Sequence, residues 1–171
     1  MFHLVTGGSG SGKSAYAESL FAAKSRSIYL ATMKPYGEET LAKIARHQRL
    51  RAGKGFVTVE CQEGLDKIIL PENGGVLLEC ISNLAANELY REDGTLRVRQ
   101  ETAQRIISGI ENILRQTDDL VVVTNEVCSD VPDYSSETKE YIALMGTLNQ
   151  KLARMADKVT EVVYGIPVPL K

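Results

Sequence analysis

Apolar residues in this chain fall into short dense runs separated by stretches of helical spacing. The runs at 2–6, 27–31, 76–80 and 120–124 are almost continuous, as expected of strands buried on both faces of a parallel sheet. Residues 56–61 alternate apolar and polar positions, the pattern of a strand, and 159–164 reads as a last strand. Between the runs the period lengthens. Residues 12–23, 38–51, 81–90, 95–116 and 138–155 have helical composition. In 12–23, Ala15, Ser19 and Ala22 or Ala23 form a small-residue face suited to close packing on a sheet. In 38–51, Leu41, Ile44 and Ala45 recur at apolar spacing, and in 95–116 the stripe is Ala103, Ile106, Ile107, Ile110 and Leu114. Pro35 and Gly37 mark a loop over 32–37, and 65–70 is a short helix or apolar turn stopped by Pro71. Residues 91–94 are a charged turn, 128–136 a polar loop and 165–169 a turn-rich end. Strands alternating with helices predict a single three-layer α/β domain over 1–171, with a mainly parallel central sheet. No internal repeat or linker interrupts it.

The first apolar run leads into Gly7-Gly8-Ser9-Gly10-Ser11-Gly12-Lys13-Ser14, the pattern G-x-x-x-x-G-K-S. Between a strand and a helix, that spacing is a phosphate-binding P-loop, and the domain is P-loop NTPase-like. Glycines let the backbone curl so that successive N–H groups point at phosphate oxygens. The following helix offers free N–H groups and the positive end of its dipole. Lys13 is placed to reach the β- and γ-phosphates, and the Ser14 hydroxyl to ligate Mg²⁺. The loop implies a nucleoside triphosphate but not the acceptor.

Composition narrows the class. The chain has 171 residues, 43% hydrophobic and 25% charged, with a formal net charge of −2. This is ordinary globular composition, and no basic face stands out, so nucleic acid is not an expected partner. Cys61, Cys80 and Cys128 match no zinc spacing and read as reduced thiols. The first apolar run is too short for a signal peptide, and none approaches the roughly 18–20 residues that span a bilayer. The expectation is a soluble, cytoplasmic protein.

In parallel sheets, ligands sit outside the carboxyl ends of the strands. That rule gathers residues 7–14, 31–33, 79 and 125–126 on one edge. Glu79 ends an apolar run. It either holds Mg²⁺, directly or through water, or caps the next helix. Glu126 follows the run at 120–124 and serves as a general base, as a metal partner, or as a carboxylate satisfied by backbone N–H groups. His47 lies among Lys43, Arg46, Arg49 and Arg51. Those neighbours disfavour imidazolium and suit a phosphate, leaving a neutral nucleophilic ring. The alternative is a solvated basic helix face with an incidental histidine. His3 reads as packed in the first strand.

Several segments taken in order resemble one family. They are Leu-Val-Thr-Gly-Gly-x-x-Ser-Gly-Lys-Ser at 4–14, Tyr-Leu-Ala-Thr at 29–32, and Lys-Ile-Ala-Arg-His at 43–47 with Arg51. Phe-Val-Thr-Val-Glu at 56–60 is similar to W-x-T-x-E, and Leu-Leu-Glu-Cys at 77–80 follows. Val-Thr-Asn-Glu-Val at 123–127 and Gly-x-x-Asn-Gln-x-Leu-Ala at 146–153 complete the set. Nearly end to end, the chain resembles the bifunctional adenosylcobinamide kinase / adenosylcobinamide-phosphate guanylyltransferase of cobalamin biosynthesis (the CobU/CobP type). Departures are Cys128 in place of a glycine, only Val131-Pro132 kept of a G-I-V-P stretch, no Arg-Asp pattern over 138–144, and Phe56 for a tryptophan.

The resemblance implies two reactions. ATP or GTP phosphorylates the aminopropanol hydroxyl of adenosylcobinamide. GMP then passes from GTP, through a covalent GMP–histidine, to that phosphate. His47 matches the family's guanylylated histidine. Nucleotide-binding positions carry over to Gly7, Gly8, Ser9, Gly10, Ser11, Gly12, Lys13 and Ser14, to Ala31, Thr32 and Met33, to Gln48, Arg49, Leu50 and Arg51, and to Glu60 and Glu79. With Lys13 and Ser14 on the triphosphate, Glu79 and Glu126 serve metal or proton roles. Mg²⁺, GTP, ATP and a corrinoid are the implied cofactor and substrates, and a homotrimer the implied assembly. A single-activity relative and a non-catalytic nucleotide-binding paralogue are the rival readings.

Overall fold

The computed structural model describes residues 1–22, 26–35, 37–51, 53–71, 74–127 and 134–171, without the side chains of residues 39, 40, 43, 46, 47, 50 and 51. In chain order the elements are β1 (Phe2–Thr6), α1 (Lys13–Ser19), β2 (Ser27–Ala31), α2 (Gly37–Arg51), β3 (Phe56–Glu60), β4 (Val76–Leu78), α3 (Ile81–Leu89), α4 (Arg99–Leu114), β5 (Leu120–Val123), α5 (Ser136–Met155), β6 (Lys158–Val163) and β7 (Ile166–Pro169). A 3-10 turn at Leu65–Lys67 lies between β3 and β4.

The strands form one sheet in the order β3-β2-β4-β5-β1-β6-β7, parallel except for the antiparallel β6–β7 pair. Every position of β4 and β5 is buried, which is why their sequences are continuous apolar runs rather than alternations. Alternate residues supply the two faces. Phe2, Leu4, Ile28, Leu30, Val76, Leu78, Leu120 and Val122 meet α3, α4 and α5. Val5, Tyr29, Leu77, Val121, Val123 and Val162 meet Ala17 of α1 and Phe21 beyond it. Phe56 stands where the resembling family has tryptophan. It keeps an aromatic seat, edge-on to Phe21 and Tyr29 with ring centroids 5.6 and 5.9 Å away.

Four elements differ from their sequence expectations. Helix α1 ends at Ser19 rather than continuing to residue 23, and Ala15, Ser19 and Ala22 are exposed. The turn out of Gly12 sets the rotation of the helix, and that rotation puts Ala17 on the sheet. Small side chains alone do not choose the packed face. Helix α4 starts at Arg99, not 95. Asp93 Oδ1 accepts the Thr95 N–H at 2.9 Å, and Leu96 bridges Tyr90, so those residues are spent on a turn. Helix α5 begins two residues early, because Ser135 Oγ accepts the Thr138 N–H at 3.2 Å as an N-cap. The C-terminal turn-rich stretch is strand β7. Leu170 N–H bonds inward to Val159 O at 2.8 Å. By alternation, Pro167 and Pro169 turn their donorless nitrogens to the open edge. This closes the sheet to further pairing without breaking the ladder. Lys171 Nζ then caps α5, donating to the carbonyls of Ala156, Ala153 and Arg154 at 2.6, 3.3 and 3.3 Å. Of the expected loop over 128–136, residues 128–133 lie outside the described residues.

His3 is packed, with Nε2 2.8 Å from Thr160 Oγ1 across the β1–β6 pair. Burial, and then the neighbouring Lys158 charge, hold its pKa below the ordinary 6.5. A depressed folded-state pKa means that the unfolded chain takes up a proton first as pH falls. The stability contribution of this residue is therefore full above about pH 6.5 and declines below it, until the folded ring also protonates. Urea unfolding midpoints measured from pH 7.5 to 5 will fall for the wild type, and His3→Gln will flatten part of that slope.

Candidate nucleotide-binding site

Gly7, Gly10 and Gly12 have φ of 147°, 71° and 90°, values that side chains resist. At Gly7 the space is also closed. A Cβ there would lie 2.5 Å from Val162 O of β6 and 2.7 Å from Ser11 Oγ. The loop is pinned from the far end of the chain, where Gly165 N–H donates to Ser11 O at 2.7 Å. Ser11 Oγ itself is buried with no hydrogen-bond partner among the described residues. Gly12 is the N-cap of α1, and Tyr16 N–H closes the first turn onto Gly12 O at 3.0 Å. Gly8, Ser9, Gly10 and Ser11 line a cavity of about 310 Å³ with Glu161, Val162, Val163 and Tyr164.

Lys13 is nearly buried, and its Nζ donates to Gly8 O at 2.9 Å, across the loop. Burial lowers its pKa from the ordinary lysine value, opposed by Cys80 and Glu126 nearby. Glu126 thus reaches the P-loop electrostatically from the end of β5, and its carboxylate is exposed. Among the described residues no backbone N–H bonds that carboxylate.

Glu79 follows β4 directly. Its Oε2 accepts the Thr32 N–H at 2.9 Å and its Oε1 accepts the Tyr29 hydroxyl at 3.1 Å. Cys80 is the N-cap of α3, without a side-chain cap bond, so Glu79 does not cap that helix. It borders two spaces. One is a small pocket shared with Ser14, Glu18, Tyr29, Leu77 and Val123. The other is a cavity of about 210 Å³ lined also by Ala31, Met33, Pro35, Thr58 and Glu60 and, from α2, by Leu41, Ile44 and Gln48. The three α2 residues lie three and four apart on one helix face. Ala45, which the apolar spacing grouped with them, is exposed. A hydroxyl and a carboxylate facing one pocket are hard oxygen donors, and both oxygens of Glu79 keep lone pairs beyond the bonds they accept. By donor chemistry, the Ser14–Glu79 pair is of the kind Mg²⁺ takes.

The remaining expected site residues separate. Ala31, Met33, Gln48 and Glu60 face the α2 cavity. Thr32 is fully buried and turns away from it: its Oγ1 donates to Cys80 O at 3.0 Å and only its backbone serves Glu79. Arg49 is exposed and bonds back to Ala45 O of its own helix at 3.4 Å. His47 lies in α2 directly before Gln48. Its side chain, with those of Leu50 and Arg51, lies outside the described residues.

One contact joins two of the family segments that stand apart in the sequence. Asn149 of α5 accepts the Thr124 hydroxyl at 2.6 Å through Oδ1 and donates to Asn125 O at 3.1 Å through Nδ2. The Asn-Gln segment and the Asn-Glu-Val segment are thus two halves of one clamp. Asn125 in turn donates to Ser82 Oγ at 2.5 Å and to Cys80 Sγ at 3.5 Å.

A parallel sheet, a glycine loop closing on a lysine, and acids gathered at the strand ends define a P-loop nucleotide-binding protein of the α/β class. The family described as cobinamide kinase / cobinamide phosphate guanyltransferase matches residues 3–170, and the chain belongs to it. It is 34% identical to the bifunctional adenosylcobalamin biosynthesis protein CobU of Escherichia coli, over 182 aligned positions that cover all of both chains. It is equally similar to CobU of Salmonella typhimurium, at 34% and full coverage. It is 29% identical to the bifunctional protein CobP of Pseudomonas aeruginosa, covering all of this chain and 98% of that one.

Gly7→Ala places a methyl group against a backbone carbonyl at a φ that alanine avoids. The variant is expected to lose about 1–3 kcal/mol of stability and to bind Mg·GTP at least about tenfold more weakly, because the displaced N–H groups no longer converge on phosphate. Urea unfolding and equilibrium titration check the two effects.

Proposed function

We propose that this protein carries out both steps of its family within one P-loop domain spanning residues 1–171. It phosphorylates the free hydroxyl of a cobinamide with ATP or GTP, then transfers GMP from GTP onto the new phosphate. The observation that supports this best is the position of Glu79, one carboxylate bordering both the Ser14 pocket of the P-loop and the cavity under α2. A triphosphate gripped by the loop and a nucleoside lying toward α2 share that wall.

In the kinase step the P-loop N–H groups and Lys13 hold the β- and γ-phosphates. Ser14, with Glu79, holds Mg²⁺, which when bound supplies neutralisation of phosphate charge. Glu126, exposed beside Lys13, accepts the proton of the corrinoid hydroxyl as its oxygen bonds to the γ-phosphorus and the nucleoside diphosphate leaves. In the guanylyl step a neutral His47 ring nitrogen attacks the α-phosphorus of GTP and pyrophosphate leaves. The phosphate of cobinamide phosphate then attacks the same phosphorus, freeing the histidine and yielding the GDP-linked corrinoid. Gln48 of α2 faces the nucleotide from one side, and Ala31, Met33 and Glu60 from the opposite wall; Arg49, Leu50 and Arg51 are further nucleotide-binding positions of α2, and Thr32 serves through its backbone bond to Glu79. The protein acts in the cytoplasm as a homotrimer.

Incubation with Mg²⁺ and GTP labelled at the α-phosphate, followed by intact-mass analysis, tests the reading. A single acid-labile GMP adduct is expected on the wild type and none on His47→Ala. Absence of any adduct while GTP still binds would sink the two-step assignment and leave a kinase alone or a nucleotide-binding protein.

A further inference from the structure

Asn87, on the last turn of α3, belongs to no motif considered so far. Its side-chain nitrogen donates twice, to Thr32 O at 2.8 Å and to Gln62 O at 3.0 Å. The two carbonyls belong to different loops, one leaving β2 and the other leaving β3. Those strands pair as far as Ala31 opposite Glu60, and Cys61 N–H still reaches Ala31 O at 2.9 Å. Beyond that point, among the described residues, the half-buried Asn87 carboxamide joins the two backbones, and the exposed Lys34–Glu63 ion pair links the loops at the surface. The loop after β2 walls the cavity under α2 through Met33 and Pro35, and the strand ends next to the two bridged carbonyls wall it through Ala31 and Glu60. The effect reaches a charged side chain too. Gln62 Nε2 donates to Glu60 Oε2 at 3.0 Å, so the residue whose carbonyl Asn87 holds also engages the Glu60 carboxylate.

We infer that Asn87 is a positioning residue for nucleotide binding: it sets the spacing of the β2 and β3 loops, and through Gln62 the aim of Glu60, without touching the nucleotide. Asparagine suits the task because its NH₂ group offers two donors in one plane, one for each carbonyl. Aspartate has the same shape and no donor, and it sets a negative charge against two carbonyl oxygens. The inference rests on the nucleotide reading of the cavity.

The test uses the full chain and two probes. GMP carries base, ribose and α-phosphate and cannot react. Inorganic triphosphate engages the P-loop alone. Losing two hydrogen bonds that order the cavity wall is expected to weaken GMP binding by Asn87→Asp about tenfold more than triphosphate binding. Asn87→Ser, which keeps one donor, is expected to show about a threefold difference. Melting curves identify the folded fraction, and Asn87→Ser carries the test if the aspartate variant does not fold. Equal losses for the two probes, or lowered melting with GMP affinity intact, would show a residue that only stabilises the fold and would overturn the inference. A wild type that binds triphosphate but not GMP would overturn the nucleotide reading of the cavity and this inference with it. A wild type that binds GMP beside variants that bind it equally would overturn the inference alone.

Discussion

No side chain fits between Gly7 and the carbonyl of Val162, and the glycine loop of residues 7–14 takes its shape from that contact. The approach is close because β1 lies between β5 and β6, so the first loop of the chain must leave the sheet against the last parallel strand. The bond from Gly165 N–H to Ser11 O then ties the loop to the β6–β7 turn. The C-terminal hairpin, which reads locally as little more than glycine and prolines, thereby holds the glycine loop in place. Its prolines leave the open edge without donors, and Lys171 holds the hairpin to α5. A loop that binds anions through backbone N–H groups needs its backbone fixed, and here the fixing comes from the opposite end of the chain.

Glu79 has the same economy. Tyr29 and the Thr32 N–H each engage one of its oxygens, so the carboxylate keeps one orientation while bordering two spaces. Helix α2 stands across the larger of them. Leu41 is 52% exposed although it faces that cavity. An apolar residue left uncovered on a cavity wall is what a binding surface requires, whereas a helix serving only the core would bury it.

Behind these loops lies a chain of charges. Glu88 is 2% exposed; its Oε1 accepts the Gly64 N–H at 2.7 Å and its Oε2 lies 3.3 Å from Arg105 and 3.7 Å from Arg97. Arg97 also reaches Glu63, which pairs with Lys34 of the loop after β2. The buried part of this chain holds its place because each charge has partners. Only Glu88 is buried; Arg97 and Arg105 are partly exposed, so solvent screens those two pairs, and leaving the Glu88 carboxylate without partners is the costly loss. The turn of α3 that carries Asn87 and Glu88 therefore supports the loops after β2 and β3 from behind, Asn87 by neutral hydrogen bonds and Glu88 by a charged one.

The strands at 2–6 and 27–31, the parallel α/β class and the P-loop were legible in sequence because each is a local or periodic property. Burial on both faces forces continuous apolar runs, and phosphate binding forces glycine at fixed spacing. The ordered family segments carried the functional reading in the same way, since each is a short contiguous pattern. Tertiary structure decided what depends on two distant segments meeting. Which face of α1 packs followed from the turn at Gly12, not from the small residues of Ala15 and Ser19. The strand at 166–169 exists because β6 offers it a partner. Asn149 meets Asn125, and Asn87 meets Thr32 and Gln62, across 24, 55 and 25 positions of sequence. A hydrogen bond of that range leaves no periodic trace in the chain, because a side-chain amide looks the same in sequence whether it faces water or bridges two loops.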